Sequence, residues 1–280
     1  MGRIGDRMAA LRARGERALV PFITAGDPDL GVTEALIPAL AEAGADVIEL
    51  GVPFSDPTAD GPKIQQSSER ALASGTTLRR ILGLVKTLRT RTDVPLVLMG
   101  YTNSFLTMGE RAFPEAAREA GVDGVITVDC PPEEEPAYYA NLEACGVDAI
   151  LLAAPTTTAA RLAMLAKRTR GFFYYVSLTG VTGARTGLPP RLVENLARIR
   201  AVSDVPVCVG FGVSTPEQAA FIGQHADGVV VGSALVDRIA RASSREAAID
   251  DAAAFVAALK APLTQARGTR AQGAAGERSR

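Results

Sequence analysis

The chain of 280 residues has no tryptophan, one histidine and three cysteines. Without a Cys-x-x-Cys pair the cysteines cannot frame a structural zinc site, and we expect them to be buried, reduced thiols. The only histidine, His225, lies outside the predicted strand ends. The sequence therefore disfavours a Ser-His-Asp or Cys-His catalytic site, and it lacks the histidine ligands that a metal-dependent aldolase usually has. The sequence therefore predicts no metal site.

Excess charge and long apolar runs are also missing. The formal net charge is -1 at pH 7, which does not provide the basic surface that nucleic acid needs. No apolar run approaches the ~20 residues of a membrane span. The N-terminal residues include Arg3, Asp6 and Arg7 and lack the apolar centre of a signal peptide. We therefore expect a cytoplasmic protein that binds neither nucleic acid nor a membrane.

Eight short apolar runs alternate with segments whose apolar residues recur three and four positions apart. Such runs are typical of strands buried on both faces, as in a parallel sheet covered by helices. The runs are Ala18–Thr24, Asp46–Val52, Val94–Tyr101, Gly124–Asp129, Ala149–Ala153, Phe172–Ser177, Val205–Phe211 and Gly228–Gly232. Eight βα units in about 250 residues predict an α/β fold, a single-domain (β/α)8 TIM barrel. A doubly wound sheet is the alternative, but Thr24–Pro28 does not match its dinucleotide fingerprint.

The two ends of the chain lie outside this alternation. Residues 1–15 predict an extra amphipathic helix with Ile4, Met8 and Leu11 on one side, which we expect to cap the bottom of the barrel. Residues 261–280 contain four arginines and few large apolar residues, too little apolar surface to offset the entropy of ordering. We therefore predict a barrel domain over residues 1–260 and a disordered basic tail over 261–280.

Glu49 interrupts the second apolar run close to its carboxyl end, where barrel enzymes carry their functional side chains. A buried carboxylate without a partner costs several kcal/mol, and its pKa rises instead. A raised pKa permits proton transfer near neutrality, although a structural ion pair is the alternative role. None of the lysines lies at a predicted strand end, so a Schiff-base aldolase is disfavoured and proton transfer by carboxylates remains.

Two long loops and two glycine-rich strand ends complete the predicted site. The loop 54–62 after the second strand carries two more carboxylates, of which Asp60 could instead cap the next helix. The loop 178–189 after the sixth strand contains three glycines, which favours a lid. The seventh and eighth strands end in Gly210–Ser214 and Gly232–Ala234. Backbone N–H groups at such helix starts commonly bind a substrate phosphate.

Four segments of the sequence together resemble the tryptophan synthase alpha chain family. They are Pro21–Pro28, Glu49–Pro57, Ala59–Gln65 and Gly180–Arg185, and the similarity runs from about residue 4 to 260. The resemblance implies a lyase that cleaves indole-3-glycerol phosphate to indole and glyceraldehyde 3-phosphate without a cofactor in this subunit. It also implies an alpha2beta2 complex, in which indole passes to a beta subunit that uses pyridoxal phosphate to form L-tryptophan.

The resemblance also implies roles for individual residues. Glu49 would be the acid and base, Asp60 would hold the indole N–H and stabilise positive charge, and Tyr174 matches a tyrosine near Glu49. The remaining positions fall into three groups, the indole pocket, the phosphate site and the contact with the beta subunit. They are Phe22, Ile64 and Phe211 for the pocket, Gly183, Gly212, Gly232 and Ser233 for the phosphate, and Asp56 and Pro57 for the partner.

Two positions depart from the family's pattern, and three other functions stay open. Lys63 stands where the family often has an uncharged residue, and Asn103-Ser104 replaces a frequent Asn-Pro. The alternatives are a stand-alone lyase that releases free indole, a non-catalytic phosphate-binding barrel that activates a partner, and a phosphosugar isomerase. The second carboxylate of the loop 54–62 favours the lyase over the isomerase.

Overall fold

The computed structural model describes residues 2–176, 191–210 and 212–264. Its strands are β1 (Ala18–Thr24), β2 (Ile48–Gly51), β3 (Leu96–Gly100), β4 (Gly124–Thr127), β5 (Asp148–Ala149), β6 (Leu152–Ala153), β7 (Phe173–Val176), β8 (Val207–Gly210) and β9 (Gly228–Val231). Its helices are α1 (Arg3–Arg14), α2 (Leu30–Glu42), α3 (Pro62–Ala73), α4 (Leu78–Leu88), α5 (Thr102–Leu106), α6 (Ala112–Ala120), α7 (Pro136–Ala144), α8 (Ala159–Arg168), α9 (Leu192–Arg200), α10 (Pro216–His225), α11 (Ser233–Arg241) and α12 (Arg245–Thr264).

The strands form one parallel sheet that curls into a ring, in the order β5-β4-β3-β2-β1-β9-β8-β7-β6. The two outermost strands, β5 and β6, are pieces of one segment, Asp148–Ala153, and pair with β4 and β7 respectively. Between them the Leu151 N–H bonds to the Thr169 hydroxyl at 3.1 Å instead of to a neighbouring strand. The nine strands are thus the eight predicted ones with the fifth divided. The predicted TIM barrel is confirmed.

Helix α1 closes the amino-terminal end of the barrel. Its buried residues Ile4, Met8 and Leu11 join a cluster with inward-facing strand residues such as Ala18 and Val47. Burying these side chains stabilises both the helix and the barrel floor, at about 25 cal/mol for each Å² of apolar surface removed from water. The predicted capping helix is confirmed.

Three aspartates, of which Asp46 and Asp123 are buried and Asp227 is half-buried, tie the strands together at the same end. Each of the three directly precedes or begins the run of its strand and accepts a backbone N–H from the start of a neighbouring strand. The pairs are Asp46 with Leu19 at 2.8 Å, Asp123 with Leu96 at 2.8 Å, and Asp227 with Val207 at 3.0 Å. These bonds satisfy N–H groups that the sheet itself leaves unpaired.

The predicted boundary of the C-terminal tail was wrong by four residues. Helix α12 continues through Thr264, and Leu263 within it is fully buried. A Cβ placed on Gly223 of α10 would lie 2.6 Å from Leu263 Cδ2, so these two helices are in close contact. That contact stabilises the last helical turn. Residues 265–280 lie outside the described ranges. Among the helices that are described, none is long and apolar enough to cross a membrane.

Candidate active site

Glu49 points into the barrel from the middle of β2. Its partners in register are Phe22 of β1 and Val97 of β3, and Val97 belongs to the cluster inside the ring. Side chains in register on neighbouring parallel strands share one face of the sheet. Inside the ring, Glu49 is 0% exposed. The structure therefore places this carboxyl group inside the barrel, two residues before the end of β2.

The surroundings of Glu49 favour its neutral form. Neither of its carboxyl oxygens has a hydrogen-bond partner among the described residues. Burial raises the pKa of Glu49 to about 8, because the ionised form loses its hydration. A carboxyl group with that pKa holds a proton at neutral pH and can also release it. The alternative role, a structural ion pair, finds no partner within the same residues.

Tyr174 lies across the ring from Glu49, on β7. It pairs in register with Leu152 and Cys208, and its ring belongs to the cluster inside the barrel. Burial raises the pKa of Tyr174 well above its usual range, and the charge of Glu49 raises it further. A Cβ on Gly210 would lie 2.7 Å from the Tyr174 hydroxyl oxygen. A glycine is therefore required at that strand end for the tyrosine to lie there.

Asp60 lies in the loop between β2 and α3, next to Tyr101. The Tyr101 hydroxyl donates a hydrogen bond to Asp60 Oδ2 at 3.1 Å. Burial raises the pKa of Asp60, and the bond from Tyr101 opposes that rise by favouring the carboxylate. The alternative suggested by the sequence, that Asp60 caps the next helix, does not hold. Gly61, and not Asp60, is the N-cap residue of α3, and that helix start has no hydrogen bond from a capping side chain.

A small cavity lies beside Asp60, against the ends of β1, β2 and β3. Its lining includes three of the predicted residues, Phe22, Asp60 and Ile64, together with Tyr101, residues of β2, β3 and α3, and Val128 directly after β4. A Cβ on Gly51 would lie 2.4 Å from Phe22 Cζ, so the phenyl ring can occupy its place only beside glycine. The cavity thus combines an aromatic wall with a polar group at one edge, as ligand sites commonly do.

Three of the predicted phosphate residues, Gly212, Gly232 and Ser233, follow β8 and β9, which correspond to the seventh and eighth strands of the sequence prediction. Gly232 is the N-cap of α11, and Ser233 is the first residue of that helix. Gly232 supplies no side-chain cap, whereas α10 is closed by its own capping box of Thr215 and Gln218. The helix dipole and the first N–H groups of α11 therefore favour an anion near Ser233.

The remaining predicted residues fall on the loop 54–62 or outside the described part of the chain. Asp56 is exposed and accepts a hydrogen bond from the Ser55 hydroxyl at 2.5 Å, and Pro57 beside it is half-buried. Both lie on the same loop as Asp60. Gly183, Phe211 and the predicted lid 178–189 are outside the described residues.

The sequence prediction missed Tyr101 and the partner of Lys63. Tyr101 follows β3 directly, at a strand's carboxyl end, and that position was the signal that could have identified it. Lys63, which departs from the family's pattern, forms an ion pair with Asp237 of α11 at 2.9 Å. This pair joins the helix after the Asp60 loop to the helix that begins at Ser233. His225, expected in a loop, is the last residue of α10.

The fold and the site together define a protein of the (β/α)8-barrel class with a fully buried glutamate in its second strand and an aspartate at the edge of an aromatic-walled cavity. The model of the tryptophan synthase alpha chain family matches residues 8–264. The chain belongs to the tryptophan synthase alpha chain family. It is therefore a lyase that cleaves indole-3-glycerol phosphate and passes indole to a beta subunit, as its motifs predicted.

Individual relatives agree with this assignment over nearly the whole chain. The tryptophan synthase alpha chain of Geobacter sulfurreducens is 55% identical over 260 residues, which are 93% of this chain and 98% of the relative. That of Burkholderia thailandensis is 51% identical, over 94% of this chain and 97% of the relative. A crystal structure of tryptophan synthase subunit alpha from Legionella pneumophila superposes with a TM-score of 0.87 at 38% identity, covering 95% and 99% of the two chains.

Proposed function

We propose that Glu49 and Asp60 carry the proton transfers of indole-3-glycerol phosphate cleavage in this chain. The reaction breaks the bond between indole C3 and the neighbouring glycerol carbon. Indole C3 gains a proton, and the hydroxyl on the glycerol carbon loses one as the aldehyde forms. Neutral Glu49 donates the first proton, and its carboxylate then accepts the second, so that it ends as it began.

The observation that supports this role for Glu49 is its complete burial within β2. With its pKa raised to about 8, both protonation states are accessible near neutral pH. Protonation at C3 puts positive charge on the indole ring. Asp60 accepts a hydrogen bond from the indole N–H and stabilises that charge, and the two carboxyl groups thus have separate tasks. Tyr174 acts as a neutral neighbour of Glu49, because its raised pKa keeps its proton in place.

The same proposal assigns the substrate's two ends. The indole ring lies in the cavity beside Phe22 and Ile64, and the sequence motifs add Phe211 to this pocket. The phosphate lies at the start of α11, on the N–H groups around Gly232 and Ser233. Gly183 and Gly212 are its other predicted contacts. The alpha subunit of this family needs no cofactor of its own for the reaction.

Replacing Glu49 with glutamine tests the catalytic assignment. We expect Glu49→Gln to lower turnover of indole-3-glycerol phosphate at least 100-fold, because general acid-base catalysis contributes about that much or more. Binding of glyceraldehyde 3-phosphate, measured by calorimetry, should stay within about threefold. Glu42→Gln, at the exposed end of α2, is the matched control. Near-normal turnover in Glu49→Gln would refute the assignment, whereas a wild-type chain that binds the phosphate without cleavage would indicate a non-catalytic barrel.

We also propose that the chain works in an alpha2beta2 complex, with pyridoxal phosphate in the beta subunit and with Asp56 and Pro57 at the contact. The exposure of Asp56 on the loop that carries Asp60 supports a direct link between partner and site. Mixing with a beta subunit should give a particle of two alpha and two beta chains in light scattering and should raise the cleavage rate. A rate unchanged by the partner would favour a stand-alone lyase. The cytoplasmic location stays a prediction.

A further inference from the structure

Tyr101 contacts the loop 54–62 with both hydrogen-bonding functions of its hydroxyl. The hydroxyl oxygen accepts a hydrogen bond from the backbone N–H of Ala59 at 3.0 Å, and the hydroxyl group donates a hydrogen bond to Asp60 Oδ2 at 3.1 Å. The residue follows β3 and is only 4% exposed, and its hydroxyl makes both bonds where the loop meets the barrel. One hydroxyl thus holds both the backbone beside Asp60 and its carboxylate.

The ring of Tyr101 contacts the opposite end of the same loop. It stacks on Phe54, with ring centroids 5.1 Å apart and an interplanar angle of 26°. Tyr101 also lines the cavity that contains Phe22 and Asp60. A single side chain therefore touches the first residue of the loop, its carboxylate and the pocket wall. An aromatic pair of this kind contributes about 0.5–1.5 kcal/mol beyond its buried area.

We propose that Tyr101 is a positioning residue for the lyase reaction, which keeps Asp60 ionised and oriented toward the indole N–H and holds the loop 54–62 against the pocket. The proposal rests on the role assigned to Asp60 above. A tyrosine suits both tasks, because its hydroxyl can donate one hydrogen bond and accept another while its ring fills apolar space. Phenylalanine at this position would keep the ring and lose only the two hydrogen bonds.

The direction of the expected pH effect follows from the contacts of Asp60. A hydrogen bond to the carboxylate lowers the pKa of Asp60, against the rise caused by burial. Two other titratable groups act on this pair, Tyr174 across the ring, which responds to the charge of Asp60, and Asp129 after β4, which acts on Tyr101. Both are unchanged in a Tyr101→Phe variant. Without the hydroxyl, Asp60 therefore takes up its proton at a higher pH.

The test is the pH dependence of kcat and KM for Tyr101→Phe with indole-3-glycerol phosphate. We expect kcat to fall about tenfold, the size of one lost hydrogen bond to a charged group. KM should change less than threefold, because the ring remains. The acidic limb of the kcat profile should move to higher pH. Tyr139→Phe is the matched control, since its hydroxyl also bonds to a backbone group, donating to the Cys130 carbonyl at 2.6 Å, but Tyr139 does not line the cavity.

A second variant separates the ring from the hydroxyl. Phe54→Leu removes the stacking partner and leaves both hydrogen bonds, so we expect KM to rise and the acidic limb to stay in place. If the wild type is active and the Tyr101→Phe variant has the same kcat and the same pH profile, this inference is overturned and the proposed function is not. A wild type that does not cleave the substrate would overturn the proposed function as well. Thermal unfolding should show that all three variants fold.

Discussion

At the amino end of the barrel, Asp46 is buried with two close partners, the Leu19 N–H at 2.8 Å and Lys260 Nζ at 2.7 Å. At the carboxyl end, Glu49 is buried three residues later in the same chain segment, and neither of its oxygens has a partner among the described residues. The two side chains carry the same functional group at similar depth. Only the pairing differs.

The difference shows how one fold separates structural from reactive carboxylates. A buried carboxyl group that is paired and hydrogen-bonded joins elements that are distant in sequence. Asp46 does so by linking β1 to α12 through Lys260, which also donates to the Arg17 carbonyl at 2.9 Å. A buried carboxyl group without such partners takes up a proton instead, which is the property that a general acid needs.

Breaking the pair at the amino end should cost the most stability. Asp46→Asn leaves the buried ammonium group of Lys260 without its counterion. We expect the free energy of unfolding in urea to fall by about 4 kcal/mol. Since Asp46 lies at the end of the barrel away from the cavity, kcat at a temperature where the variant is folded should stay within about twofold of wild type.

A weaker partner of the same aspartate provides the control. Arg7 approaches Asp46 at 3.8 Å, and its side chain is 39% exposed. Exposed pairs contribute little, so Arg7→Ala should change stability by about 0.5 kcal/mol or less. Equal losses in Asp46→Asn and Arg7→Ala would show that burial does not determine the strength of these pairs.

The carboxyl end should show a smaller effect that depends on pH. The pKa of Glu49 rises from an ordinary 4.5 to about 8 on folding. The unfolded chain therefore releases this proton from about pH 4.5, while the folded chain keeps it until about pH 8. The contribution of Glu49 to the free energy of unfolding is therefore fully present below pH 4.5 and is lost as the pH rises toward 8. At ~1.4 kcal/mol per pH unit, the loss between pH 5 and 8 is roughly 3 kcal/mol.

Glu49→Gln isolates this contribution. Glutamine does not titrate, so the free energy of unfolding of the variant should lack the decline due to Glu49 between pH 5 and 8. The measurement is urea unfolding across that range for both proteins, and the difference between the two curves removes the effect of all other groups. Parallel curves would mean that Glu49 is ionised in the folded protein, and the contrast with Asp46 would then disappear.

The sequence alone identified much of this enzyme for physical reasons that are local. Alternating apolar and amphipathic segments predicted the barrel, and a carboxylate within an apolar strand predicted Glu49. It failed where the answer depended on neighbours distant in sequence. Leu263 looked like an isolated apolar residue in a polar tail, because its contact, Gly223, lies on another helix.

Tyr101 marks the same limit within the site. Its position at the end of a strand is visible in the sequence, but its bond to Asp60 exists only because β3 lies beside β2 and the loop 54–62 folds over both. The sequence determined which residue types stand at the strand ends and which faces are apolar. The tertiary structure alone decided which carboxylate is paired and which is not, because strand register and ring closure set the distances between side chains.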